Sequence, residues 1–162
     1  MKDRVLRLRI VNDSAKRPYD NQPVPGLPQP DHFADVRWTA CDGNFPFVPD
    51  VRAIHESELG TITEADRRDD VCINVSARNK GAVQFNSWIN VEETGHYVLS
   101  FSTPTKGFVR VHEAGVLDAD YGYESGATLT ATLHLGIGYH PVRVTVLTDD
   151  GGKAAYEFEC RK

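Results

Sequence analysis

No apolar run in the 162 residues reaches the roughly 18 that a membrane-spanning helix needs, and the opening MKDRVLRLRI is too short and too charged for a signal h-region. A module cut from a longer precursor lacks its leader as well, so the second absence carries no weight on localisation. Clustered positive charge is also missing. The 18 Lys and Arg are dispersed among 23 Asp and Glu, for a net charge of -5, whereas nucleic-acid binders gather their basic residues on one face. DNA and RNA are therefore not expected partners. Cysteine is scarce: Cys41, Cys72 and Cys160 permit one disulfide at most, with one thiol left over, and their spacing matches no zinc pattern. Free Cys packs as a small hydrophobe, so buried thiols are the favoured reading, with a bridge from Cys41 or Cys72 to Cys160 as its alternative. Helical periodicity is nearly absent. Only residues 51–70 (VRAIHESELGTITEADRRDD) admit a helix, and Gly60 restricts it to one or two turns.

Catalytic and metal signatures are lacking too. There is no G-x-S-x-G elbow and no H-x-x-x-H or H-E-x-x-H pair, and no repeat recurs at solenoid or propeller period. Nothing demands catalysis, a metal or a cofactor. The six histidines are scattered, although His96, His112 and His134 fall on polar faces of expected strands and can converge in space. A chain of this length buries about 70% of the surface its unfolded form exposes, so neither metal nor disulfide is needed for folding.

What the sequence does contain is alternation. Across residues 81–147, Val83, Phe85, Ile89 and Val91 are separated by Gln84, Asn86 and Asn90; Tyr97, Leu99 and Phe101 by Val98 and Ser100; Ala127, Leu129, Ala131 and Leu133 by Thr128, Thr130 and Thr132; and Val142, Val144 and Val146 by Arg143 and Thr145. A period of two puts each set on one face of a strand, whereas a helix would scatter it. Gly, Asp and Pro punctuate the runs. The fold class that follows is all-β: an antiparallel two-sheet β-sandwich, jelly-roll-like, of about ten strands with little helix.

Towards the N-terminus, Val5, Leu6, Leu8, Ile10 and Val11 with Arg4, Arg7 and Arg9 suggest an opening strand with a basic outer face. Residues 16–30 are too rich in proline for an element and form an extended connector. The chain thus divides into a strand and connector over 1–35, packed on or leading into the domain, and a sandwich over 36–162. Phe45, Pro46, Phe47 and Pro49 make an apolar loop expected to plug one end of the core. Residues 148–152 (TDDGG) read as a hairpin turn into the closing strand of Ala154, Tyr156, Phe158 and Cys160.

Two groups of residues could hold a ligand. Asp118, Asp120, Tyr121, Tyr123 and Glu124 crowd around Gly122 and Gly126, and a loop of rings and carboxylates suits a sugar, the rings stacking on C–H faces and the carboxylates binding hydroxyls. The competing reading is a solvated turn with two tyrosines folded onto the end of the sandwich. Trp88, on the polar face of its strand between Asn86 and Asn90, is a second stacking platform or is buried under a covering loop.

The order of the segments carries a resemblance. Phe85 to Val91, Gly95-His96-Tyr97 leading to Ser102, Phe108 to Val111, Val116-Leu117-Asp118 with Asp120, and Gly138-Tyr139-His140-Pro141 leading to Val146 follow one another as in the protective-antigen-type β-sandwich domain, which the chain resembles from 36 to about 160. That family includes lectin-like modules of adhesins and accessory domains of glycosidases, sulfatases and other carbohydrate-active enzymes. The resemblance implies a non-catalytic accessory module, with a glycan or the catalytic domain of a larger exported protein as partner. A structural or protein-interaction sandwich without a glycan ligand is the alternative. Members that bind sugar through calcium carry adjacent aspartates in a loop. Here the loop after Ser102 reads Thr103-Pro104-Thr105-Lys106-Gly107, which removes carboxylates and adds an ammonium, so the calcium site is not carried over.

Overall fold

The computed structural model describes residues 22–49, 58–62, 72–77 and 79–162. The strand expected over residues 5–11 lies outside them, as does most of the segment given to a helical turn. Among the described residues the chain forms ten strands and no helix: β1 (Val36–Asp42), β2 (Glu58–Ile62), β3 (Cys72–Ser76), β4 (Gly81–Val91), β5 (Gly95–Ser102), β6 (Gly107–Val111), β7 (Ala114–Ala119), β8 (Leu129–Leu135), β9 (Gly138–Leu147) and β10 (Lys153–Arg161). All named pairs are antiparallel, in a six-stranded sheet of order β2-β1-β4-β9-β6-β7 and a four-stranded sheet of order β3-β10-β5-β8.

The core is the set that the alternation selects. Val83, Phe85, Val91, Leu99, Phe101, Val109, Val142, Val144 and Val146 are buried between the sheets, joined by Tyr156, whose ring meets Phe85 edge-on with centroids 4.9 Å apart. Each such side chain contributes about 1.5–3 kcal/mol by leaving water.

Three expectations need correction. Glu58–Ile62, inside the segment given to a helix, is a strand paired with β1. Trp38 sits opposite Gly60, and a Cβ on Gly60 would lie 2.1 Å from the indole. The glycine read as a helix breaker is the floor on which an aromatic ring rests. The turn after Leu147 does not close a hairpin, because β9 belongs to the larger sheet and β10 to the smaller. Gly152 supplies the positive φ (76°) of a tight reversal, but the chain crosses the sandwich there. Nor does the Phe45–Pro49 loop enter the core: Phe47 stays exposed, and the loop is tied down by polar contacts described below.

The proline-rich segment runs over the β8–β9 turn. Val24 N–H donates to His134 O (2.8 Å) and Gly136 N–H to Val24 O (2.8 Å), while Leu27 and Tyr139 exchange bonds of 2.8 and 2.9 Å. The backbones come this close because Gly26 faces Gly138: a Cβ on Gly26 would be 2.4 Å from Ile137 O.

Candidate functional site

The loop end of the sandwich is built around Asp120, which follows β7. Its side chain is buried; Oδ2 accepts from Val48 N–H (3.1 Å) and Oδ1 lies 3.7 Å from Lys106 Nζ. Lys106 also donates to Pro46 O (3.3 Å) and sits over the Phe47 ring. One carboxylate and one ammonium thus hold the Phe45–Pro49 loop, the β5–β6 loop and the end of β7 together. Tyr123 staples the next loop in a similar way, since its hydroxyl accepts from Thr103 N–H (3.1 Å) and donates to Ala127 O (2.6 Å). Asp118 Oδ1 accepts from Asp120 N–H (3.2 Å). Asp118, Asp120 and Tyr123 thus each make polar contacts within the fold. Tyr121, 82% exposed, and Glu124 project to solvent at the loop tip.

In the β5–β6 loop, Thr103 Oγ1 donates to Ala155 O (2.9 Å) and Thr105 Oγ1 to Leu147 O (2.6 Å). These hydroxyls close the loop onto the strands around it.

Trp88 is not part of this end. It stands opposite Pro141 on β9, five residues from Val146, which pairs with Gly107 beside Ala119; at about 3.3 Å per residue the two places are about 17 Å apart. Trp88 is half-buried on the outer face of the larger sheet, where it walls a cleft of about 180 Å³ with Asn86, His112, Glu113, Pro141 and Arg143. The last four could not be joined to Trp88 from the sequence, because the join depends on the register of β4, β9 and β6.

His112 reaches the cleft by an unusual backbone. It opens the two-residue turn between β6 and β7 with φ of 52°, a conformation that a non-glycine residue adopts only when held. Its backbone N–H donates to Pro141 O (2.8 Å), and its ring meets His140, which is fully buried. His140 Nε2 lies 2.8 Å from Gly136 O and so carries the hydrogen; its Nδ1 then accepts from His112 Nε2–H at 2.9 Å. Burial, and secondarily the neighbouring His140, push the His112 pKa down. The convergence of His96, His112 and His134 does not occur. His96 and His134 stack across β5 and β8 with centroids 4.4 Å apart, while His112 pairs with His140. Among the described residues no three His, Cys, Asp or Glu side chains gather as metal ligands would.

Cys41 and Cys160 are free thiols. Burial raises both pKa values, that of Cys160 to about 11, so neither is a thiolate nucleophile at neutral pH.

An antiparallel two-sheet sandwich with a stapled loop end defines the class by fold. The same fold occurs in the PA14 domain of the antifreeze protein MpAFP (TM-score 0.54, 16% identity, 82% of this chain and 83% of that one) and in the A domain of epithelial adhesin 9 from Candida glabrata, solved with Galβ1-3GlcNAc (0.51, 10%, 85% and 86%). It also occurs within a β-glucosidase from Kluyveromyces marxianus, solved with glucose (0.58, 14%, 78% of this chain). The chain spans only 15% of that enzyme's length. No family model and no curated protein sequence matches the chain.

Proposed function

We propose that the chain is a non-catalytic, carbohydrate-binding accessory module of a larger exported protein. The observation that carries this reading is the Trp88 cleft, an indole and a proline ring beside an amide and charged groups on a rigid sheet, in a sandwich whose fold recurs in a sugar-complexed adhesin domain and inside a glycosidase. The ring would stack on the C–H face of a sugar while Asn86 meets its hydroxyls. In this reading residues 1–35 lead into the sandwich and are fastened to it at Val24 and Leu27. Lys106 beside Asp120 favours sugar binding without calcium, since an ammonium already neutralises the buried carboxylate.

A glycan array probed with the purified chain, with calcium and again with chelator, tests the reading. Binding that persists in chelator is the expected outcome. Absence of binding to every glycan in both conditions would overturn it and favour a protein-interaction role, for which β8, the terminal strand of its sheet, offers an edge.

A further inference from the structure

The outer face of the larger sheet holds a row of arginines. Register places Arg37 of β1 opposite Asn86 of β4, Asn86 opposite Arg143 of β9, and Arg143 opposite Arg110 of β6. Directly opposed residues share a face, and neighbouring strands lie about 4.8 Å apart, so the three guanidinium stems span about 14 Å across the sheet. Like charges placed directly opposite one another, as Arg143 and Arg110 are, destabilise a sheet.

Glu113 relieves part of that repulsion. Its carboxylate lies 3.3 Å from Arg143 Nη2, and its backbone carbonyl accepts from Arg110 Nη1 at 3.2 Å. Arg110 also stacks over the Phe108 ring, with its guanidinium carbon 5.1 Å from the centroid. Among the described residues, one carboxylate against three guanidiniums leaves two positive charges in the row, and the next carboxylate on this face, Asp118, stands one row further along, opposite Phe108. The chain as a whole carries -5, so this face opposes the sign of the molecule. Beside the row runs the Trp88–Pro141 cleft, which Arg143 itself lines.

Resting on the carbohydrate-binding reading above, we infer that the Trp88 cleft and the Arg37–Arg143–Arg110 row form one site for an anionic saccharide, a glycan bearing sulfate or carboxylate groups. The indole and Pro141 take the sugar ring. Arg143, at the junction of cleft and row, and Arg37, exposed on the far side of Asn86, take its oxyanions by charge-assisted hydrogen bonds. The site lies on the sheet, not on the loop end that carries Tyr121 and Glu124.

The test is calorimetric titration of the purified chain, in chelator, with heparin, chondroitin sulfate, a polyuronate and an uncharged polysaccharide, dextran. Arg37→Gln, Arg143→Gln, Trp88→Ala and Tyr121→Ala are measured in parallel, each checked for an unchanged circular dichroism spectrum. A sulfated or uronate polymer should bind, and binding should weaken as salt rises from about 0.05 to 0.5 M. Arg37→Gln should cost about tenfold, as loss of one charge-assisted contact does, and Trp88→Ala at least as much, with Tyr121→Ala neutral. Arg37 is exposed, so its substitution reports on binding even if Trp88→Ala or Arg143→Gln unfolds the chain. Comparison of the sulfated with the carboxylated polymer identifies which oxyanion is read. Equal binding of dextran and the anionic polymers, or full affinity in Arg37→Gln, overturns the inference while leaving carbohydrate binding intact. Failure of every glycan, neutral or charged, overturns both.

Discussion

At the scale of single residues, the two tyrosines of the β7–β8 loop separate cleanly, although the sequence presents them alike. Tyr123 holds two backbone groups with its hydroxyl, and Tyr121 touches solvent. Tyr123→Phe keeps the ring and leaves Thr103 N–H and Ala127 O without their partner, so it should lower unfolding free energy by about 1–3 kcal/mol in a urea titration. Tyr121→Ala should stay within about 0.5 kcal/mol of the parent. If both are neutral, the stapling role of Tyr123 is wrong. Local composition pointed to this loop, but it could not tell a staple from a tip, because that depends on which carbonyls the fold brings within 3 Å.

His112 makes a pH-dependent claim at the same scale. Its pKa is depressed in the folded chain, mainly by burial, from an ordinary value near 6.5. Above that value the ring is neutral in both folded and unfolded states and contributes no pH dependence. As pH falls through it, the unfolded chain takes up a proton that the folded chain resists, so stability is lost downward from about pH 6.5 to the depressed folded value. The charged groups beside the ring are Glu113 and Arg143 in the cleft, with His140 beneath. His112→Asn tolerates the positive φ and does not titrate. Thermal melts between pH 7.5 and 5 should show a shallower fall in Tm for this variant than for the parent. Parallel curves would assign the acid sensitivity elsewhere.

At the scale of elements, the strands were legible and their partners were not. A period of two marks Val83 to Val91 or Val142 to Val146 as half-buried strands wherever they pair, which is why β4, β5, β8, β9 and β10 fall where alternation puts them. Neither β2 nor β7 shows in this way: β2 has Gly60 at its centre, with the Trp38 ring lying on that glycine, and β7 reads in sequence as a turn ending in Asp118. Alternation carries no information on which sheet a strand joins, so the turn at Gly152 reads as a hairpin in sequence and is a crossing in the fold. Where the proline-rich segment docks as a strap is likewise not legible in sequence, since its docking site over the β8–β9 turn is a glycine more than 100 residues away. Gly26→Val should undo the docking, because a branched side chain cannot enter the 2.4 Å gap to Ile137 O. Amide exchange should accelerate at Val24, Leu27, Gly136 and Tyr139, the four donors of the strap, and stay slow at Val83 and Leu99. Unchanged protection of the four would mean that the strap docks by other contacts.

Taken as a whole molecule, the sandwich is held by its core and not by covalent links, and a change of redox conditions separates the two. Cys41 lies in β1 and Cys160 in β10, in different sheets, and both are free thiols whose pKa values burial raises. A bridge closing a loop of about 100 residues would stabilise the chain by about 4.7 kcal/mol. At about 2–4 °C per kcal/mol for a domain of this size, reduction of such a bridge would lower Tm by about 10 °C or more. The free thiols predict instead that melting curves with and without reductant superimpose, and that maleimide labels Cys41 and Cys160 slowly in the native state and fully in urea. A reductant-dependent fall in Tm would show that a disulfide forms in solution and carries part of the stability assigned here to Phe85, Phe101, Tyr156 and the valines of β4 and β9.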